Sequence, residues 1–181
     1  MKIFEILAYH GRKSGVKGFD ISHTGQNSTT FSDYSSTRWG SFFTTNPEFA
    51  NIYGSVDQYD LQISKTARLS SALLSSFYDY VESLYENEQL ERNTFLDIQE
   101  IISGNWNIWQ LFEEETGELF VKWLVSKGYD SARYQEFLEN DDGKEIGSDT
   151  IVVFNPSLIE YKGQIEMDLY KDRLEKNLNT E

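Results

Sequence analysis

The hydrophobic positions of this chain follow a strand period near both ends. Residues 2–9 form a mixed aliphatic and aromatic run that stops at a His-Gly pair, which is typical of a buried strand. Gln58–Leu69 alternates apolar and polar positions, and residues 149–154 (DTIVVF) form an apolar run closed by Asn-Pro, so both segments are predicted strands. Further short strands are predicted over 41–45, 129–137 and 158–167.

Between these strands the apolar residues recur every three to four positions, which predicts helices over about 72–85, 95–102 and 119–127. A capping position before Pro47 predicts another short helix that runs to about Tyr53. Residues 168–181 contain a predicted charged terminal helix. Strands, then helices, then strands again predict a single α+β domain over 1–181 with a mainly antiparallel sheet.

Two segments have the composition of loops. Residues 12–39 are rich in Gly, Ser and Thr, and residues 138–147 are acidic and contain glycine. Long loops in compact domains are usually functional.

Composition narrows the possible chemistry. The 181 residues include no Cys and two His, which excludes disulfides, thiolate zinc sites, cysteine nucleophiles and multi-histidine metal sites. The formal net charge is −14, and a field of that sign repels nucleic acid. Residues 1–45 nevertheless carry a net charge of +2, so an anionic ligand is expected there. No targeting or membrane-spanning segment is visible, so a cytoplasmic location is expected.

Three motifs occur in a suggestive order. The sequence LAYHG ends at Gly11, GSFFT spans 40–44, Tyr53 follows nine residues later, and residues 147–156 read GSDTIVVFNP. This ordered set resembles the ADP-ribosyltransferase superfamily, in the branch of diphtheria toxin and the poly(ADP-ribose) polymerases. The resemblance implies a split, mainly antiparallel sheet with helices in the middle of the chain. It also implies transfer of ADP-ribose from NAD⁺ with release of nicotinamide.

The resemblance also implies roles for single residues. His10 would hydrogen-bond the adenosine ribose hydroxyl, and the backbone of Gly11 would hold the nicotinamide amide. Tyr53 and Phe42 would stack on the nicotinamide ring, where a flat cation is favourably bound between aromatic faces. The implied NAD⁺-binding residues are His10, Gly11, Arg12, Ser41, Phe42 and Tyr53, with Lys13 beside Arg12 as a second cation for the pyrophosphate.

The acidic residue of the family is less clearly matched. Cleavage of a nicotinamide–ribose bond needs negative charge near an oxocarbenium-like sugar. Thr150 occupies the position where the family usually has glutamate, so Asp149 is predicted to be the acid, with Glu136 and Glu145 as alternatives. The predicted catalytic residues are therefore Asp149, His10 and Tyr53. The resemblance implies that Gln135–Gly147 is a candidate loop for recognition of the acceptor.

The favoured hypothesis is a mono-ADP-ribosyltransferase of the effector or toxin type, bacterial or phage in origin, that uses NAD⁺ as substrate and no metal. Its expected acceptor is a protein rather than a nucleic acid, and an antitoxin or inhibitor partner is possible. A second hypothesis is a non-catalytic module of the same fold whose acidic surface binds a basic partner. A third is an NAD⁺ glycohydrolase with water as acceptor.

Overall fold

The structure is a computed structural model that describes residues 4–12, 27–29, 35–139 and 143–168. Within these ranges the chain is an α+β fold with nine strands and four α-helices. The strands are β1 Phe4–Arg12, β2 Asn27–Thr29, β3 Ser35–Thr37, β4 Ser41–Thr44, β5 Ser55–Ile63, β6 Thr66–Arg68, β7 Ser131–Glu139, β8 Glu145–Val153 and β9 Ile159–Ile165. The helices are α1 Pro47–Asn51, α2 Ser71–Glu86, α3 Arg92–Ile102 and α4 Glu114–Ser126, with a 3₁₀ turn at Ile108–Phe112.

Seven of the described strands form one mixed sheet in the order β6-β7-β8-β4-β1-β5-β9. The pairing of β6 with β7 is parallel, and the other pairings described within this sheet are antiparallel. The strands β2 and β3 form a separate antiparallel pair. The predicted α+β class and the mainly antiparallel sheet are therefore confirmed. None of the helices in the described part of the chain is both long and apolar enough to cross a bilayer.

Among the described residues, the pairing of β1 with β4 is the shortest in the seven-stranded sheet. In the described residues their ladder consists of a single pair, Tyr9 opposite Thr44, whereas β1 pairs with β5 along its whole length. The two halves of the sheet, β6-β7-β8-β4 and β1-β5-β9, are thus joined by a short seam. His10 and Gly11 follow directly after this seam on β1.

Each face of the sheet has its own hydrophobic core. On the helix-side face, Ala132, Tyr134 and Val152 pack against α2, α3, α4 and the 3₁₀ turn through buried aromatic and aliphatic side chains. On the opposite face, a second cluster is centred on Phe43 and Ile151 and includes Ala8, Tyr59, Leu61, Ile63 and Val153. Because side chains alternate along a strand, this pattern assigns every residue of β7 and β8 to one face or the other.

The predicted strand Gln58–Leu69 is divided in the structure into β5 and β6. The carboxylate of Asp130 accepts hydrogen bonds from the backbone N–H and hydroxyl of Ser64 and from the backbone N–H of Lys65. Burial raises the pKa of Asp130, but these hydrogen bonds outweigh burial and the pKa is lowered overall. An ionised carboxylate, 65 or more positions away in sequence, therefore binds the turn that ends β5.

The structure corrects the prediction of a loop over residues 138–147. β7 runs to Glu139 and β8 begins at Glu145, so most of the Gln135–Gly147 segment is a paired hairpin rather than a loop. The exposed ring of Phe137 lies against Gly147 on the opposite strand. Asp149, expected at the mouth of its strand, is instead in the interior of β8. The predicted terminal helix begins at residue 168, the last described residue, and its remaining residues, 169–181, lie outside the described residues.

Candidate functional site

His10 is bound to the neighbouring strand at the seam of the sheet. Its Nδ1 lies 2.9 Å from the backbone carbonyl oxygen of Phe42 on β4. A carbonyl can only accept a hydrogen bond, so Nδ1 carries the proton and donates. The imidazole also makes an edge contact with Phe43, at 6.2 Å between ring centroids. The predicted site residue His10 is thereby fixed in orientation, and its Nε2 points away from the Phe42 carbonyl.

Gly11 and Tyr53 are brought together by the short helix α1. Asn46 caps this helix by accepting the backbone N–H of Glu48 at 2.9 Å, and Pro47 occupies its first turn. The chain leaves the helix with the N–H of Tyr53 bonded to the carbonyl of Ala50 at 3.0 Å. A Cβ placed on Gly11 would lie 1.9 Å from the Ala50 oxygen and 2.7 Å from the Tyr53 Cβ. Only glycine permits β1 to lie this close to the end of α1.

Phe42 and Ser41 occupy β4 opposite β8. Ser41 is buried opposite Val153. The half-buried ring of Phe42 meets Phe112 edge to face at 5.6 Å, and the guanidinium of Arg38 lies over it at 5.2 Å from its centroid. Phe42 is therefore packed toward the helices, with a cation on one side of its ring.

Asp149 lies on the opposite face of the sheet, with an arginine as its partner. Its carboxylate forms an ion pair with Arg133 on β7. Because Asp149 and Thr150 are consecutive in β8, their side chains project to opposite faces. The negative charge of Asp149 is thus next to a positive charge and away from the helix-side face.

Glu136 is on the helix-side face, where the structure joins it to Thr150. The hydroxyl of Thr150 donates to Glu136 Oε2 at 2.6 Å. Burial raises the pKa of Glu136, and the hydrogen bond from Thr150 and the positive charge of Arg38 lower it only in part. The Glu136 carboxylate therefore lies beside Thr150, the position where the family pattern has an acidic residue, although Glu136 belongs to the neighbouring strand β7.

The charge of the Glu136 carboxylate acts on Tyr53. Burial, and after it the negative charge of Glu136, raises the pKa of Tyr53 to about 12, while the charge of Arg38 acts in the other direction. The same two charges act on Tyr134, which lies opposite Thr150 in the β7–β8 ladder. We call these five residues the Glu136 cluster: Arg38, Tyr53, Tyr134, Glu136 and Thr150.

Arg38 connects the Glu136 cluster to the helices. Its Nε donates to Glu113 at 3.2 Å, and its guanidinium lies over the ring of Trp109 at 5.1 Å as well as over Phe42. The backbone N–H of the next residue, Trp39, bonds to the carbonyl of Phe112 at 2.8 Å. This half-buried arginine is held by several groups in a predicted loop, and the sequence patterns gave no sign of its role.

The remaining predicted site residues lie either away from the Glu136 cluster or outside the described residues. Arg12 ends β1, but its side chain and the whole of Lys13 lie outside the described residues. Glu145 is exposed at the start of β8, opposite Glu139 and away from the Glu136 cluster. In the described part of the chain, no group of three or more His, Asp or Glu residues is arranged to hold a metal ion.

The raised pKa of Glu136 predicts a pH-dependent stability. The folded state binds this proton more tightly than the unfolded state, so the stability that protonation of Glu136 provides is complete below its ordinary pKa of 4.5 and is lost as the pH rises through the folded value. We expect Glu136→Gln to raise the melting temperature at pH 7. That gain should shrink toward zero as the pH falls below 4.5, measured by thermal denaturation across pH. A gain of equal size at both pH values would contradict the raised pKa.

Comparisons with known proteins add little to this geometry. No protein-family model matches the chain, and no curated protein matches it. One solved structure, described as the crystal structure of an anti-CRISPR protein, aligns with a TM-score of 0.41 and 14% sequence identity. The alignment covers 89% of this chain and 96% of that chain. The function proposed below therefore rests on the site itself.

Proposed function

We propose that this protein is a mono-ADP-ribosyltransferase with an ADP-ribosyltransferase-like fold, and that Glu136 rather than Asp149 is its catalytic acidic residue. The observation that carries the proposal is the half-buried Glu136 carboxylate, which accepts a hydrogen bond from Thr150 and whose charge raises the pKa of Tyr53. The narrow seam between β1 and β4 supports the split-sheet arrangement of that fold.

The chemistry of the proposed reaction explains the choice of acid. When the bond between nicotinamide and ribose breaks, positive charge develops on the sugar, and a nearby carboxylate stabilises it. Glu136 lies in a partly desolvated position, where its charge acts strongly. The charge of Asp149 is instead balanced by Arg133, so Asp149 would contribute less to a cation on the substrate.

The groups around Glu136 fit the two parts of the substrate next to the broken bond. The ring of Tyr53 supplies an aromatic face for the nicotinamide, and the adjacent backbone of Gly11 supplies amide and carbonyl groups for its carboxamide. His10 projects from β1 to the opposite face of the sheet, against Phe43, so its Nε2 would serve the adenosine ribose hydroxyl rather than the bond that breaks beside Glu136. Arg38, on the same face as Glu136, would favour the anionic portion of the dinucleotide.

The stacking role of Tyr53 gives a binding prediction. Tyr53→Ala should weaken NAD⁺ binding by about 1–3 kcal/mol, because it removes an aromatic face and its buried area. Isothermal titration calorimetry would measure the change, and Tyr161→Ala on the edge strand β9 is the control. An unchanged dissociation constant in Tyr53→Ala would remove this residue from the site.

The reaction itself is tested by incubating the protein with NAD⁺ and measuring nicotinamide release. Release that depends on a macromolecular acceptor, with the acceptor gaining the mass of ADP-ribose, supports transfer. Release in buffer alone would favour NAD⁺ hydrolysis. If the protein shows neither release nor a thermal shift with NAD⁺, the non-catalytic module with an acidic binding surface becomes the better hypothesis.

The proposed acceptor is a protein with a basic surface. The net charge of −14 favours such a partner over a nucleic acid. Mass spectrometry of a lysate treated with the protein and labelled NAD⁺ would identify the molecule that carries the label.

A further inference from the structure

The side chain of Asn46 joins helix α1 to strand β8. Its Oδ1 accepts the backbone N–H of Glu48 at 2.9 Å and so caps α1, while its Nδ2 donates to the backbone carbonyl of Gly147 at 3.2 Å. The carboxamide of asparagine presents an acceptor and a donor side by side, and both are used here. A helix cap needs only the acceptor, so the donor indicates a second role for this residue.

A second asparagine in the chain makes the same cap without this link. Asn155 stands before a proline at the start of the 3₁₀ turn Pro156–Leu158, and its Oδ1 accepts the backbone N–H of Ser157 at 3.0 Å. Its side chain is exposed, and among the described residues its Nδ2 has no partner that corresponds to Gly147. The bond to a neighbouring strand is therefore specific to Asn46.

Further hydrogen bonds strengthen the junction between α1 and β8. The hydroxyl of Thr44 is hydrogen-bonded to the hydroxyl of Ser148, and its oxygen also accepts the backbone N–H of Asn46 at 3.1 Å. The backbone N–H of Thr45 donates to the carbonyl of Asp149 at 3.1 Å. Thr44 and Ser148 are both buried, where hydrogen bonds are electrostatically stronger than in water. The start of α1 is thus held against the first half of β8.

The two joined elements carry different parts of the proposed site. Helix α1 leads into Tyr53, which lies close to Gly11, and the proposed function assigns both to the nicotinamide. Strand β8 supports the acidic residue, because Ser148 lies directly opposite Glu136 in the β7–β8 ladder and Thr150 donates to its carboxylate. The distance between the aromatic face and the carboxylate therefore depends on how α1 is held against β8.

We propose that Asn46 is a positioning residue, which bonds to Glu48 and Gly147 at once and thereby fixes Glu136 relative to the bound nicotinamide ribose. This inference rests on the proposed function and adds to it a residue that does not touch the substrate. A misplacement of about 1 Å can cost on the order of a hundredfold in rate. The binding of nicotinamide depends less on Asn46, because Tyr53 and Gly11 pack together and shift together.

The test separates the helix cap from the link to β8. Aspartate and serine cap helices about as well as asparagine, but neither has an amide N–H to donate to Gly147. We expect Asn46→Asp and Asn46→Ser to release nicotinamide about 10- to 100-fold more slowly than the native protein. Their dissociation constants for NAD⁺, measured by calorimetric titration, should stay within about 3-fold of the native value, since the stacking groups are unchanged.

The matched controls are Asn155→Asp and Asn155→Ser, which alter the same kind of cap and should keep native release and affinity. The melting temperatures of the Asn46 variants should fall by no more than about 4 °C, the usual shift for the loss of one hydrogen bond in a chain of this size. The variants therefore remain folded in the release assay, and lost stability does not account for a slower reaction.

A double variant tests whether Asn46 acts through Glu136. In a protein that already carries Glu136→Gln, adding Asn46→Ser should slow release by less than about 2-fold, because no charge is left to be positioned. If Asn46→Ser slows release equally in the native and the Glu136→Gln background, Asn46 does not act through Glu136 and the inference is wrong.

Other results would also overturn the inference. Native release in both Asn46 variants would show that the link to Gly147 has no part in the reaction. A loss confined to Asn46→Asp would be an effect of the added charge, and an equal loss in the Asn155 variants would be an effect of altering any cap. Weaker NAD⁺ affinity with native release at saturation would place Asn46 in binding. If the native protein itself releases no nicotinamide, the proposed function fails and this role falls with it, and the native assay alone identifies that case.

Discussion

Replacing Glu136 with glutamine is expected to reduce the rate of nicotinamide release about a thousandfold while leaving NAD⁺ affinity close to the native value. Glutamine has the same shape and can still accept the hydrogen bond that Thr150 donates to Oε2. The change therefore removes the negative charge and little else. A charge that acts on the sugar only as the bond breaks contributes to the rate and not to binding.

The experiment compares three variants in the same release assay. Glu139 is an exposed residue of the same strand, so Glu139→Gln controls for the loss of a carboxylate elsewhere in the hairpin. Asp149→Asn tests the residue that the sequence pattern favoured. If Glu136→Gln retains native release and Asp149→Asn loses it, the assignment of Glu136 is wrong and the acid is Asp149. Loss of release in Glu139→Gln as well would point to a general effect of charge.

The position of the acidic residue depends on a strand register that the local sequence does not encode. The strand period in residues 149–154 correctly indicated a buried strand, because that pattern depends only on which residues face a core. It could not indicate that β8 begins at Glu145, because residues 145–148 extend beyond the core and do not alternate clearly. Without the hairpin register, nothing in the sequence places Glu136 beside Thr150 rather than at the end of a loop.

Other parts of the site depend on contacts between distant residues. The sequence indicated His10, Gly11 and Tyr53 through a motif, and the structure brings the last two into contact through α1. Arg38 was not indicated, because its partners Glu113 and Trp109 are more than 70 positions away. Local patterns can predict an element, but they cannot predict which loop residue reaches the helices.

The division of the predicted strand at Ser64 has the same cause. The segment Gln58–Leu69 alternates as one strand would, and the local sequence gives no strong turn signal. The turn is specified by Asp130, whose carboxylate binds the N–H groups of Ser64 and Lys65 across the fold. Long-range hydrogen bonding thus decides the boundary where propensity alone does not.

Replacing Gly11 with alanine is expected to destabilise the protein by about 3 kcal/mol, the upper part of the usual range for overpacking a closely packed position. The added methyl group would lie 1.9 Å from the carbonyl oxygen of Ala50, and a backbone atom cannot move aside as a flexible side chain does. Either β1 or the end of α1 must shift, and with it Tyr53, whose Cβ would be 2.7 Å away. Urea unfolding would measure the loss of stability.

A second strand glycine provides the matched control for Gly11→Ala. At Gly147 an added Cβ would approach the ring of Phe137 at 2.8 Å, but that ring is an exposed side chain rather than backbone, so Gly147→Ala should cost less than about 1 kcal/mol. Equal losses in the two variants would show that α1 does not press on β1. A larger loss for Gly11→Ala, together with reduced NAD⁺ affinity, would link the close packing at this glycine to the position of Tyr53. The seam between β1 and β4 would then be the point where folding and substrate binding depend on the same residue.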